Sequence, residues 1–167
     1  MVLTKPELIA SLQNEVRILL HLADKIEPGM LDYRPTPKQR STLELLRYLS
    51  MMGPQIVQVA KTGTFDEAAW GAADQAASTR TFDETKAAIA AQAETYAGEL
   101  GGMTDGDFRA EIEVFGQKAP RGAFLVTWLL SGCAAYRTQL FLYLKACGRE
   151  ELNTMNLWAG VDSPPAG

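Results

Sequence analysis

A single histidine, His21, and two cysteines are all this 167-residue chain has of the side chains that most often hold metals or act as nucleophiles. Cys133 and Cys147 fall on one predicted helix, which sets them roughly 21 Å apart, beyond disulfide reach. No CxxC pair exists, so a disulfide framework and a zinc knuckle are excluded and a reducing, cytoplasmic setting is expected. Also missing is any Lys/Arg cluster with interleaved aromatics. With 16 basic against 20 acidic residues and a net charge of −4, a nucleic-acid-binding face is excluded. Long apolar runs are absent too. The most apolar stretch, 122–135, suits a buried core helix better than a membrane span. The opening "MVLTKPELIA" has neither the apolar core nor the cleavage site of a signal peptide. No GxSxG turn, phosphate-cradling glycine loop, close carboxylate pair or nucleophile beside a histidine is found, and no cofactor is expected.

What the chain does have is helix punctuation. Thr4 with Glu7, Ser41 with Glu44 and Thr81 with Glu84 each form a capping box. After the first, Leu8, Leu12, Val16, Leu19, Ala23 and Ile26 recur at steps of three and four, the stripe of an amphipathic helix. Pro28, Gly29, Pro35 and Pro37 break the chain before the second helix, and Gly53-Pro54 is expected to kink or interrupt it before Gly63 stops it. Residues 64–80 read as a long connection with one short helical turn. The third helix begins at Thr81 and stops at Gly101-Gly102. The alternation of Phe108, Ala110, Ile112 and Val114 predicts a short extended excursion. A fourth helix spans about 122–147 and ends at Gly148.

Four such helices predict an all-α, four-helix bundle over residues 1–150, followed by a mostly irregular tail, 151–167, docked by Leu157 and Trp158 before a frayed end. The connection after the second helix is long enough to return the full length of the bundle. About 17 extended residues span roughly 55 Å, whereas a 20-residue helix spans about 30 Å. Phe124, Val126, Trp128, Leu130, Phe141 and Leu142 face several directions of the last helix, an apolar surplus that points to a homodimer.

"IEPGMLDYRPTPKQRSTLELLRYLSMM" and "AAYRTQLFLYLKACG" together resemble the DinB-like family. The order is L-x-x-R-P-x-P loop, S-x-x-E-L-L-x-x-L helix, then R-x-Q-L-x-x-Y-L-x-x-x-G helix. The resemblance implies a four-helix bundle with a crossover after the second helix and a tendency to dimerise. It also implies a divalent metal held by one histidine of the second helix and two, four residues apart, of the last. Some members resemble thiol-dependent transferases. The positions implied for those ligands carry Tyr48, Gly132 and Tyr136 here. Glycine offers no ligand, and a neutral phenol is a poor one.

Two readings of these residues stand side by side. The tyrosines fill the volume of an ion and its imidazoles, with Gly132 making room for a ring. Alternatively, Tyr48, Gly132 and Tyr136 border a pocket for a small apolar molecule, with Gln139, Cys133 and Arg137 as secondary candidates. His21 is expected at the surface, Cys133 as an inert buried thiol, and Glu15, Glu44 and Glu94 as solvated or capping groups. The function expected is a metal-free small-molecule-binding or protein-interaction module. The alternative is a metal-dependent hydrolase or thiol transferase using other ligands.

Overall fold

The computed structural model describes residues 3–163. Three of its four long helices begin where the capping boxes stand. Thr4, Ser41 and Thr81 each accept from the backbone three residues on, while Glu7, Glu44 and Glu84 reach back to the cap. They open α1 (Lys5–Ala23), α2 (Thr42–Thr62) and α4 (Phe82–Gly101). The last long helix is built from α6 (Arg121–Phe124), a π-helical segment (Leu125–Leu130) and α7 (Ser131–Ala146). Leu12, Leu22, Leu45, Leu46, Ile89, Leu100, Leu125, Leu129 and Leu140 meet in the fully buried centre.

α2 and α4 run parallel. Contacts climb both helices together: Arg47 meets the Arg80 carbonyl, Gln92 the Leu49 carbonyl, and Lys61 pairs with Glu99. The expected crossover is therefore present, but not as a loop. Residues 67–78 form α3 (Glu67–Ser78), capped by Asp66 Oδ1, which accepts from Ala69 N at 2.9 Å. The small residues that read as a connection are mostly alanines, the strongest helix formers, and α3 packs on α2 while leaving most of its surface to solvent.

Two further local expectations are corrected, and one, the extended excursion, holds in part. Pro54 does not interrupt α2. Gly53 beside it lets α4 approach so closely that a Cβ there would lie 2.0 Å from Tyr96 Oη. Tyr96 Oη donates to Gln92 Oε1 at 2.7 Å, and Gln92 Nε2 donates to the Leu49 carbonyl at 2.8 Å, so tertiary packing holds the turn around the proline. The excursion after α4 is α5 (Asp105–Arg109), itself boxed by Thr104 and Asp107, followed by a hairpin of β1 (Glu111–Val114) and β2 (Gln117–Pro120). Phe124, expected to add to an outward apolar surplus, is buried, whereas Leu142 stands 58% exposed.

The tail is only partly irregular. Met155–Ala159 form a π-helical turn, and Arg17 clasps the carbonyls of Ala159 and Gly160. Leu152 and Asn156 dock this segment, while Trp158 is 69% exposed and so does not. The frayed end expected after Trp158 is held as far as Asp162, which pairs with Lys25 at 2.7 Å, and residues 164–167 lie outside the described residues. No helix among the described residues is long and apolar enough to cross a membrane.

Candidate functional site

α2 and α7 run antiparallel, and that alignment brings Tyr48, Gly132 and Tyr136 together around one cavity of about 550 Å³. Gly132 and Tyr136 are one turn apart on α7 and share a face. Tyr48 meets Tyr136 edge to face, ring centroids 5.2 Å apart. A Cβ at Gly132 would meet only Met52, at 3.8 Å, so the glycine leaves open space in front of α7. The tyrosines are half-buried rather than sunk in the core. They border a hollow and do not fill it.

From Tyr48 the rings continue around the cavity. Trp70 of α3 lies 6.4 Å from Tyr48, Phe65 lies 5.4 Å from Trp70, Phe115 5.1 Å from Phe65, and Trp128 5.2 Å from Phe115. Such spacings are those of favourable aromatic pairs. Met52, Ile56, Val59 and Phe124 add apolar walls, and no lining side chain carries a formal charge. The crossover and the hairpin thus both serve this one site, since α3 supplies Trp70 and the hairpin tip supplies Phe115.

Phe115 is held there against its backbone preference. It is the one non-glycine residue of positive φ among the described residues (55°), followed by Gly116 at 73°. Two left-handed residues make the tight turn that suits a two-residue hairpin, a conformation costing a bulky side chain roughly 1–2 kcal/mol. Asparagine or glycine would turn as well without that cost. What phenylalanine adds is the ring between Phe65 and Trp128.

The π-helical segment also acts here. In an unbroken α-helix, residues four apart advance about 40° per step, so positions 124, 128, 132 and 136 would fan around the helix. The wider turn winds fewer degrees per residue and offsets this drift. Phe124, Trp128, Gly132 and Tyr136 all reach the cavity.

Electrostatically the cavity is a neutral site beside a cation. Burial, and then the neighbouring Tyr136, push the Tyr48 hydroxyl well above the usual phenol range, so it stays protonated. The Arg40 guanidinium lies over the Tyr48 ring, 4.0 Å from its centroid. Two phenols and a glycine do not fit a divalent ion, which needs anionic or imidazole donors. Among the described residues, no three His, Cys, Asp or Glu side chains gather as a metal site.

The secondary candidates stand elsewhere. Arg137 is turned from the cavity, pairing with Glu15 of α1 at 3.0 Å and donating to the Leu157 carbonyl. Glu15, expected in solvent, is only 12% exposed at the side chain, and burial raises its pKa despite the arginine. The pair is an ionic contact whose angles do not make a hydrogen bond. Gln139 Nε2 donates to Tyr143 Oη at 2.5 Å, and Tyr143 Oη donates to the Arg40 carbonyl at 3.1 Å, so Gln139 braces the loop that carries Arg40. Burial pushes the Cys133 thiol up to about 12, which leaves it unreactive. His21 is not a free surface residue, because its Nε2 lies 3.1 Å from Asn156 Nδ2 under the tail. Glu44 caps α2 as expected, and Glu94 is exposed.

Trp70, Phe65, Phe115 and Trp128 were not legible as site residues. Two local signals exist: a lone tryptophan amid alanines at 67–73, and a Phe-Gly pair where a hairpin turn favours Asn-Gly.

No protein-family model and no curated protein matches the chain. Among solved structures it is similar to a DinB-like protein, YjoA, from Bacillus subtilis, at 20% identity and a TM-score of 0.67, over 87% of this chain and 94% of that one. With that likeness, the parallel α2 and α4 and the helical crossover, the chain has an all-α DinB-like fold.

Proposed function

We propose that the protein is a metal-free module that binds a small, largely apolar molecule between α2, α3, the hairpin tip and α7. One observation carries this reading: a cavity of about 550 Å³ lined by seven aromatic side chains and uncharged along its lining. That volume falls within the range of small-molecule sites. The tyrosine hydroxyls at its wall offer hydrogen bonds to an acceptor on the ligand. A hydrolase or thiol transferase of the kind the family resemblance implies would need metal ligands beyond Tyr48, Gly132 and Tyr136. We further propose a cytoplasmic homodimer, with the exposed Leu142 as a candidate contact.

The test uses the neutral probe 2-naphthylacetamide, an aromatic body with one carbonyl acceptor, titrated calorimetrically into the full chain. Saturable one-to-one binding is expected, weakened by Tyr48→Phe with Tyr136→Phe and abolished by Gly132→Leu, which fills the space before Met52. No binding, or binding indifferent to these substitutions, overturns the assignment. One tightly held metal ion per chain, found by elemental analysis after zinc incubation and desalting, would restore the enzymatic reading.

A further inference from the structure

Tyr48 is a wall of two hollows. Behind the aromatic cavity, on the side of the loop before α2, lies a second one of about 430 Å³ whose lining includes Arg34, Lys38, Arg40, Arg47 and Asp74. The two differ in kind, since the first is bounded by rings and the second by charges. Their charges do not cancel. Arg34 is neutralised by Glu44 at 3.2 Å, and Arg47 Nε donates to the Arg80 carbonyl at 2.8 Å. Lys38 and Arg40 enter no ion pair among the described residues, nor does Asp74, which opposes them. An excess of positive charge is left beside Tyr48.

Arg40 is also positioned. Its guanidinium is stacked on Tyr48, and its carbonyl is the end of the Gln139–Tyr143 hydrogen-bond chain. A guanidinium laid on an aromatic face keeps its in-plane N–H donors free for a carboxylate. We infer that the ligand is an organic anion, its apolar body among the rings and its carboxylate reaching past Tyr48 to Arg40 and Lys38. This rests on the cavity being a binding site and names the class of molecule it takes. A cationic ligand, which an aromatic ring could hold by itself, is disfavoured by the two unpaired cations at the same wall.

A matched pair of probes separates the two levels of the argument. 2-Naphthylacetate and 2-naphthylacetamide have nearly the same shape and differ in charge. The acid is expected to bind about fivefold tighter, the scale of an exposed ion pair, and the preference to fade in 0.5 M salt. Arg40→Gln and Lys38→Gln should each weaken the acid and leave the amide unchanged, whereas Asp74→Asn should tighten the acid alone. All three sites are exposed, so the variants are expected to fold. Equal binding of both probes, or an acid preference that survives Arg40→Gln with Lys38→Gln, overturns the anion assignment while the cavity reading stands. Failure of both probes to bind removes the cavity reading, and the anion with it.

Discussion

Arg137→Met is the substitution that best separates a residue of the binding site from one of the frame. In the structure Arg137 is 7% and Glu15 12% exposed at the side chain, and the two face each other at 3.0 Å between α7 and α1. Methionine keeps the stem's apolar packing but leaves the Glu15 carboxylate desolvated with no cation. Breaking a buried ion pair from one side costs about 3–5 kcal/mol. Glu15 retains some access to water, which lowers that loss, while the lost donor to the Leu157 carbonyl adds to it. We expect a net cost of about 2–4 kcal/mol, or a fall in Tm of roughly 5–15 °C for a chain of this size.

The pH dependence has a definite sign. Burial already raises the Glu15 pKa in the folded protein, so the folded state holds that proton more tightly than the unfolded state. Stability from this group is therefore gained as pH falls through the raised value towards the usual 4.5 and lost as pH rises. Without Arg137 the pKa rises further, and the destabilisation should shrink between pH 8 and pH 5. Urea unfolding of wild type, Arg137→Met, Glu15→Gln and Glu15→Leu/Arg137→Met at both pH values measures it, with the double variant recovering most of the loss. 2-Naphthylacetamide binding should be unchanged in any variant that remains folded. A cost below about 1 kcal/mol, or a loss of probe affinity without a loss of stability, would refute the assignment of Arg137 to the frame.

Other substitutions test other parts of the molecule. Phe115→Asn should relieve the left-handed strain at the hairpin tip, keep or raise stability within about 1 kcal/mol, and weaken probe binding, as read by urea unfolding and calorimetry. Gly132→Ala meets Met52 only at ordinary contact distance and should stabilise by about 0.5–1 kcal/mol; a Cβ rejected by the helix interface would show as destabilisation. The His21 pKa is lowered, first by burial and then by Lys25, so its contribution is complete above the unfolded value of 6.5 and lost as pH falls below that value through the lowered folded one. His21→Gln should flatten the dependence of stability on pH between 7 and 5, and an unaltered slope would count against the clasp between the tail and α1.

The fold was legible because its signals are local. Capping boxes, glycine stops and three-four spacing each act within a few residues and mark α1, α2, α4 and the last helix. The helix α3 was missed because alanine-rich, weakly amphipathic sequence carries propensity without periodicity, and Asp66 caps it without a boxing glutamate. The site was legible in half. Tyr48, Gly132 and Tyr136 were singled out by resemblance and do converge. Trp70 and Phe115 arrive from the crossover and the hairpin tip, whose distance from Tyr48 in space is a matter of topology and not of spacing. Arg137, Glu15 and His21 were misplaced for a related reason, since each is buried by a segment distant in sequence. The Leu157 carbonyl and Glu15 hold Arg137, read as a pocket candidate, in the frame, and Asn156 of the tail covers His21, read as a surface residue.

The hydroxyls of Tyr48 and Tyr136 say something about selectivity that their rings do not. If filling volume were the whole task, phenylalanine at both positions would serve and would bring no donors into an apolar hollow. Two phenols hold two O–H donors. When one donates to the other, a single hydrogen remains to be placed. In the open cavity water can take it. An occupant that displaces the water must offer an acceptor in its place or leave a buried donor unmet, at a cost of about 1–3 kcal/mol, roughly 5- to 150-fold in affinity. The cavity should therefore discriminate between 2-naphthylacetamide and 2-ethylnaphthalene by a factor of that order, beyond what their difference in apolar area gives. In the Tyr48→Phe/Tyr136→Phe variant the discrimination should collapse, chiefly because the hydrocarbon binds better. A variant that loses amide affinity and gains none for the hydrocarbon would mean that the hydroxyls shape the cavity and do not read the ligand.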